Sequence, residues 1–435
     1  MELYQHLQKL EKDGKRIRTG LVGCGQMGSG LVHVTHRMEG LETYAISDID
    51  PDRPRNVLKS LCIPEDMICV ANSRSKAEDI LRSGKYLITE DALLLPQLDN
   101  LDAVVEATGI TDIGARVAWE GITNRKNIVM LNVETDVTVG VLLDRIARKT
   151  GSVYTVASGD EPAVCKMLYD FSRTIGFEVV CLGKGKNNPI NFEITPDMCR
   201  AEAESKGMNP KMLSSFIDGT KTMVEMAAVS NATGLIPDVP GMHGPKAEIG
   251  ELSRVFIPES DGGILGRRGC VDFSTGKVAP GVFAIVATDE PRIVNDMHFV
   301  SMGEGPYYMF FRPFHLCNIE TPIAVAEAVI YGEPTVTAKS MYSEVVAMAK
   351  RDLKPGETVG SIGSADIFNR IYTYQEARQK KAIPMGIATG GKVLGEVKKG
   401  EMLTEDNFAP DANTFIYRLR RMQDAMLTDE RRMGE

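Results

Sequence analysis

Gly23, Gly25 and Gly28 stand in the run Gly-Cys-Gly-Gln-Met-Gly, directly after the apolar stretch Ile17–Val22 and ahead of the helix-forming Ser29–Arg37. A strand before and a helix after are the context that gives such glycines chemical meaning. The first permits a tight turn, the second lets a pyrophosphate reach the backbone, and the third lets helix and strand pack closely. The backbone around Gln26, Met27 and Gly28 then presents free N–H groups at the positive end of a helix, where an anion is stabilised. About twenty residues past Gly28 lies Asp48, at the end of the next apolar run. A carboxylate at that offset accepts hydrogen bonds from the ribose hydroxyls of a dinucleotide and repels a 2′-phosphate. Asp50 and Asp52 add to that field, and Arg53 is the nearby cation that offsets it. The expected cofactor is therefore NAD, with NADP second. The plain structural alternative is that Asp48 caps a turn before Pro51.

Two further segments end apolar runs of the same region. Ala107-Thr108-Gly109 follows Asp102–Glu106, where the chain is expected to pass the nicotinamide ribose; Asn132-Val-Glu134 follows Asn127–Leu131, near the expected ring. Both fall at carboxyl ends of strands, where open α/β sheets bind ligands. Asn132 and Glu134 serve equally as polar caps.

Three loops combine glycine with ionisable groups. Gly183-Lys184-Gly-Lys186-Asn187-Asn188-Pro189-Ile-Asn191 reads as a glycine loop after an apolar strand. It offers several donors to an oxygen-rich substrate, and a lysine there that is desolvated or near another cation loses pKa and becomes an acid or base. The alternative is a solvated basic turn. In Phe216–Glu225, Asp218 or Thr220 is placed to cap a helix, with Thr222 and Glu225 at capping-box spacing. Lys221 opposes the helix dipole, a conflict that an anionic ligand would relieve. His243, between Gly241-Met and Gly244-Pro, can face a ligand and titrates near neutrality; it also fits a core or surface role. Asp160 or Glu161, in Gly159-Asp-Glu-Pro162, either orients a substrate hydroxyl or a lysine, or caps a helix.

The elements that must hold these residues alternate strand and helix through the first third of the chain. Leu3, Leu7 and Leu10 mark a leader helix, and strands near 17–22, 42–46, 102–106, 127–131 and 153–157 are too short and apolar for helices. This predicts an α/β fold class with a doubly wound parallel sheet, a Rossmann domain over 1–158. Over 159–340 helices near 161–173, 211–216 and 222–231 mix with strands 177–182 and 282–287, as in an α+β catalytic and oligomerisation domain. Ala349–Val359 and Gly395–Thr404 echo one another, each joining a basic segment to a glycine turn and a Gly-Glu strand. Two related halves imply a small pseudo-symmetric β domain over 341–410, similar to the SAF β-clip module, followed by a terminal helix within 411–435.

The chain's 435 residues, 43% hydrophobic and 25% charged, are globular in composition and enough for two or three cores. A net charge of −9 argues against nucleic acid or an anionic membrane as partner. No apolar run spans a bilayer and no apolar stretch of a signal peptide precedes Arg18. Eight scattered cysteines without a CxxC pair suit a reducing cytoplasm, and no acidic or cysteine spacing singles out a metal site.

Gly183-Lys-Gly-Lys-Asn-Asn-Pro-Ile-Asn-Phe192, Phe216–Met226, and Asn231-Ala-Thr-Gly-Leu235 with Gly241-Met-His-Gly-Pro245 resemble homoserine-dehydrogenase-like oxidoreductases with a C-terminal SAF domain. That family includes the DXR-like (type II) 1-deoxy-D-xylulose 5-phosphate reductoisomerases. The resemblance implies three domains, a homodimer or homotetramer, and a small polyhydroxylated or phosphorylated substrate. Those reductoisomerases favour basic residues for NADPH where this chain has Ser47-Asp48-Ile49-Asp50. The resulting expectation is hydride transfer between nicotinamide and a carbinol or carbonyl carbon. Lys184 or Lys186 is the acid/base, Asn187 and Asn188 position the oxygen, and Lys221 and His243 hold an anionic group or an enediolate. A homoserine-type dehydrogenase and a non-catalytic dinucleotide sensor are the alternatives.

Overall fold

Seven apolar runs become the strands of one sheet: β1 Ile17–Val22, β2 Leu41–Ser47, β3 Ile68–Val70, β4 Tyr86–Thr89, β5 Ala103–Glu106, β6 Asn127–Met130 and β7 Tyr154–Val156. The computed structural model describes residues 2–434, without the side chains of 431–434. The spatial order is β3-β4-β2-β1-β5-β6-β7, and all six pairings are parallel. Strands buried on both faces account for the continuous apolar runs. Chain order reverses between β1 and β5, so the crevice at their carboxyl ends is the switch point of a doubly wound sheet.

Two units emerge, and neither is continuous in sequence. The first holds residues 1–160, 316–337 and 413–435. The first break falls after Asp160, and the stretch 159–340, expected as a single domain, is shared between the two units. The helix Cys317–Ile330 belongs to the first unit because Ala324, Val325 and Ala326 complete the core formed with Leu21, Leu31 and Ile46. Val336 then pairs with Val156, whose N–H donates to its carbonyl at 2.9 Å.

The terminal helix Phe415–Gly434 docks on the helix Val133–Thr150 of the same unit. The Gln423 side-chain amide donates to the Thr138 carbonyl at 3.1 Å and accepts from the Leu142 N–H at 3.0 Å. Those two groups are the i, i+4 partners that an uninterrupted helix joins to each other. Buried Arg420 adds a second donor to the same carbonyl at 3.4 Å.

The second unit holds residues 161–315 and 338–412. Its five-stranded sheet comprises β8 Glu178–Gly185, β9 Ile236–Pro237, β10 Cys270–Ser274, β11 Val282–Ala287 and β12 Tyr307–Arg312, in the order β12-β11-β8-β10-β9. β8 lies between β10 (parallel) and β11 (antiparallel).

The remaining part of this unit pairs β13 Ser343–Ala349 with β14 Ile367–Thr373 and carries the sequence repeat. In the turn Lys354–Glu357 the Lys354 N–H donates to the Glu357 carboxylate at 3.2 Å; in Lys398–Glu401 the Lys398 N–H does the same to Glu401 at 2.8 Å. The two copies also bond to each other, Leu353 N–H to Val397 carbonyl at 2.8 Å and the reverse at 3.1 Å. The repeat is thus a structural pair.

Candidate functional site

In the first unit the glycine loop closes at two positions and stays open at one. Gly23 has φ +96°, and a Cβ there would lie 2.9 Å from the Ala107 carbonyl. A Cβ on Gly28 would lie 2.0 Å from the Gly23 oxygen. A Cβ on Gly25 would meet no atom within 4 Å. The helix starts immediately after, at Gln26, with Gly25 as its N-cap and no side chain closing the end. Crowding at the first and third glycines, with free space over the second, is the shape a pyrophosphate cradle requires.

Asp48 is buried and engaged on both oxygens. Oδ2 accepts the Cys24 N–H at 2.7 Å, and Oδ1 accepts the Asp50 N–H at 3.0 Å. It therefore ties the glycine loop to the end of β2, and it also caps the turn before Pro51. Arg53 is held 3.6 Å from Asp48 and 3.3 Å from Asp50, so the local cation is already paired with acids.

Thr108 directs both its N–H, at 2.9 Å, and its hydroxyl to the Glu106 carboxylate at the end of β5. Burial pushes that carboxyl up to about 7, against the two Thr108 hydrogen bonds. Glu106 went unnoticed in the sequence, although an acid closing the run Ala-Val-Val was a signal. Asn132 is the N-cap of the Val133–Thr150 helix and accepts the Thr135 N–H at 3.1 Å. Its capping role is therefore real, and Glu134 lies buried in the first turn of the same helix.

In the second unit, Lys184 is on strand β8 itself and not on a loop beyond it. Neighbouring strands on both sides supply the backbone partners that extend β8 to Gly185. The buried Lys184 ammonium bonds both Glu161 and Glu225. Burial opposes its charge, but the two carboxylates outweigh that and hold its pKa above the ordinary lysine range. The expectation of Lys184 as acid or base is corrected accordingly: it is a fixed cation. Glu161 takes the lysine-orienting role, and Glu225 does not close a capping box, because the helix starts at Thr220 and Glu225 turns inward. Burial, and then the Glu161 charge, push the Glu225 carboxyl up.

Lys186 lies one residue beyond β8, buried, with Nζ donating to the Phe216 carbonyl at 2.9 Å. Burial, reinforced by the Lys184 charge, brings its pKa down to about 8. Asn187 beside it is exposed and Asn188 half-buried. Asp218 caps the Thr220 N–H at 2.8 Å and forms an ion pair with Lys350 at 2.8 Å. Lys350 also donates to the carbonyls of Ile194, at 2.9 Å, and Ser364, at 3.0 Å. This makes Asp218 a structural anchor; Lys350, at the end of an apolar strand, gave no sign of that in sequence. Lys221 is the second residue of its helix, and its charge acts on Glu225 one turn along, which offsets its conflict with the dipole. His315, also missed, places Nε2 3.3 Å from Glu161 and Nδ1 2.8 Å from the Pro280 carbonyl.

His243 is not brought into this cluster. Its Nδ1 lies 2.8 Å from Asp272, which also accepts the N–H of Gly244 at 3.0 Å. The Asp272 hydrogen bond raises the imidazole's pKa. Register sets Asp272 against Gly183 and Phe273 against Lys184, so the Asp272 and Lys184 side chains leave opposite faces of the sheet. Asn231, from the neighbouring motif, accepts the N–H groups of Tyr342 at 2.8 Å and Ser343 at 2.9 Å, a structural clamp on the start of β13.

Among solved structures, the chain is similar to a probable dehydrogenase from Thermotoga maritima, at 16% identity over 73% of this chain and 90% of that one, TM-score 0.40. It is similar to scyllo-inositol dehydrogenase from Lactobacillus casei with bound NAD(H) and scyllo-inositol, at 12% identity over 68% and 76%, TM-score 0.38. A third is 1-deoxy-D-xylulose 5-phosphate reductoisomerase from Zymomonas mobilis in complex with NADPH, at 12% identity over 72% and 71%, TM-score 0.41. No curated protein matches. The segment 159–321, which carries β8, Glu161, Lys184, Lys186, Glu225 and His243, matches the family described as oxidoreductase DRL, catalytic domain.

Proposed function

We propose that the chain is a nicotinamide-dinucleotide-dependent oxidoreductase acting on a CH–OH or carbonyl carbon of a small polyhydroxylated or phosphorylated substrate, of the DXR-like kind, with NAD preferred to NADP. The observation that carries the reading is the glycine loop, closed at Gly23 and Gly28 and open over Gly25 at a helix start. A bound nicotinamide would accept or supply the hydride. The N–H groups at the Gln26 helix start hold the pyrophosphate, and Asp48 disfavours a 2′-phosphate. Lys186 moves the proton of the reacting oxygen. Its Nζ, poised near neutrality, takes that proton during oxidation and returns it during reduction. Lys184 stays charged between Glu161 and Glu225 and keeps the surroundings of Lys186 cationic.

The same reading includes a homo-oligomer. β12 is an edge strand of its sheet, and Phe310 on it meets Phe171 with ring centroids 5.3 Å apart. Met167 and Phe171 are exposed one turn apart on the helix Glu161–Thr174, and Ile175, just past its end, is exposed as well. An apolar stripe beside an open strand edge suits burial against a second copy.

The test is a binding and turnover panel of NADH and NADPH with aldonates, polyols, sugar phosphates and homoserine. NADH is expected to bind more tightly than NADPH, and Asp48→Ser to narrow that preference roughly tenfold or more. Tight NADH binding with no turnover on any substrate would make the chain a sensor instead, and turnover of homoserine alone would make it a homoserine-type dehydrogenase.

A further inference from the structure

The glycine loop occupies the carboxyl end of β1. At its amino end, about 13 Å away along the four residues from Arg18 to Val22, lies a feature that cofactor binding does not use. A hollow of about 320 Å3 opens there, lined by Glu11, Lys15, Arg16, Arg18, Tyr44 and two glycines. That volume is at the small end of the range for small-molecule sites.

Charge in this hollow is unevenly compensated. Arg16 is neutralised by Glu11, at 2.7 Å, and by Glu42. Lys15 and the Arg18 guanidinium have no carboxylate partner among the described residues. Arg18 lies 4.7 Å from the centroid of the Tyr44 ring and gives Nη2 to the Leu81 carbonyl at 2.5 Å. Closing the end of the Arg74–Arg82 helix is a sufficient reason for that one bond. It leaves Nε shielded from solvent without an acceptor, and Nη1 without a hydrogen bond, among the described residues. A buried N–H without a partner is costly, and a charged donor more so. The Nη groups of a guanidinium fit the oxygens of a carboxylate or phosphate.

We propose that this hollow is a second ligand site, for a small anion whose carboxylate or phosphate head takes the Arg18 Nη1–H groups beside the Lys15 ammonium. In a chain of net charge −9, a concave cationic patch concentrates small anions.

The test titrates inorganic phosphate, and separately citrate, into the full chain at matched ionic strength and reads binding by calorimetry and thermal shift. Saturable binding of at least one anion is expected; the stronger of the two identifies the head group. Lys15→Ala and Arg18→Met are each expected to weaken it about tenfold, and saturating NADH to leave it unchanged. Lys15 is exposed, so its substitution decides the matter even if Arg18→Met fails to fold. The proposal is overturned by absence of saturable binding, by binding that survives both substitutions, or by displacement with NADH, which would put the anion on the glycine loop.

Discussion

Lys184 and Lys186 are two residues apart and differ in how many carboxylates each touches. Two carboxylates fix the charge of Lys184; among the described residues the Lys186 ammonium bonds a carbonyl oxygen alone, and burial lowers its pKa to about 8. In the oxidation direction, where the neutral amine acts as base, kcat/KM is expected to rise with pH through a limb near 8. Lys186→Met should remove that limb and lower kcat by roughly 10²–10⁴; a pH–rate profile with the limb intact would refute the assignment. Lys184→Met leaves two buried carboxylates facing each other, and denaturant unfolding should show a loss of about 3–5 kcal/mol. Asp136 offers a test of buried charge away from the chemistry. Burial pushes its carboxyl up to about 7, against the Tyr154 hydroxyl that donates to it at 3.1 Å. Since the folded pKa lies above the unfolded value of about 3.9, the native state binds the extra proton between those limits. Stability therefore falls as pH rises from about 4 to about 7 and levels off above. Asp136→Asn keeps the Tyr154 bond and should raise the melting temperature at pH 8 more than at pH 5.

At the scale of elements, periodicity and punctuation read correctly wherever the determining contacts are local. Ile17–Val22 and Val282–Ala287 are strands over those residues, and the repeated Lys-x-Gly-Glu turns are structural equivalents. Gly183-Lys-Gly-Lys misleads because its glycines and charges look like a turn. Two flanking strands and two acids, contributed from residues 161 and 225, make it strand. His243 misleads in another way: nothing near it in sequence announces that Asp272, 29 residues on, fastens it to the far face of the sheet. The Gln423 insertion belongs at this scale. Gln423→Leu deprives the Thr138 carbonyl and the Leu142 N–H of a buried partner, which should cost about 1–3 kcal/mol by chemical denaturation. Met422→Ala on the exposed side of the same helix should cost far less.

For the whole molecule, the proposed oligomer and the interleaving of units rest on different observations. Phe171→Glu puts a charge where an apolar stripe would be covered, and sedimentation should show dissociation toward the monomer with the native fold kept by circular dichroism. The interleaving was invisible in sequence because no composition shift marks 316–337 or 413–435 as belonging with the first 160 residues. Its consequence lies in time. The Thr138 carbonyl and Leu142 N–H leave the ribosome 285 and 281 residues before the glutamine that joins them to the last helix. At synthesis rates of roughly 5–20 residues per second, that gap is on the order of 15–60 s. Throughout it the nascent nucleotide-binding unit lacks the helix that closes it, so its final consolidation must await the synthesis of a unit encoded downstream.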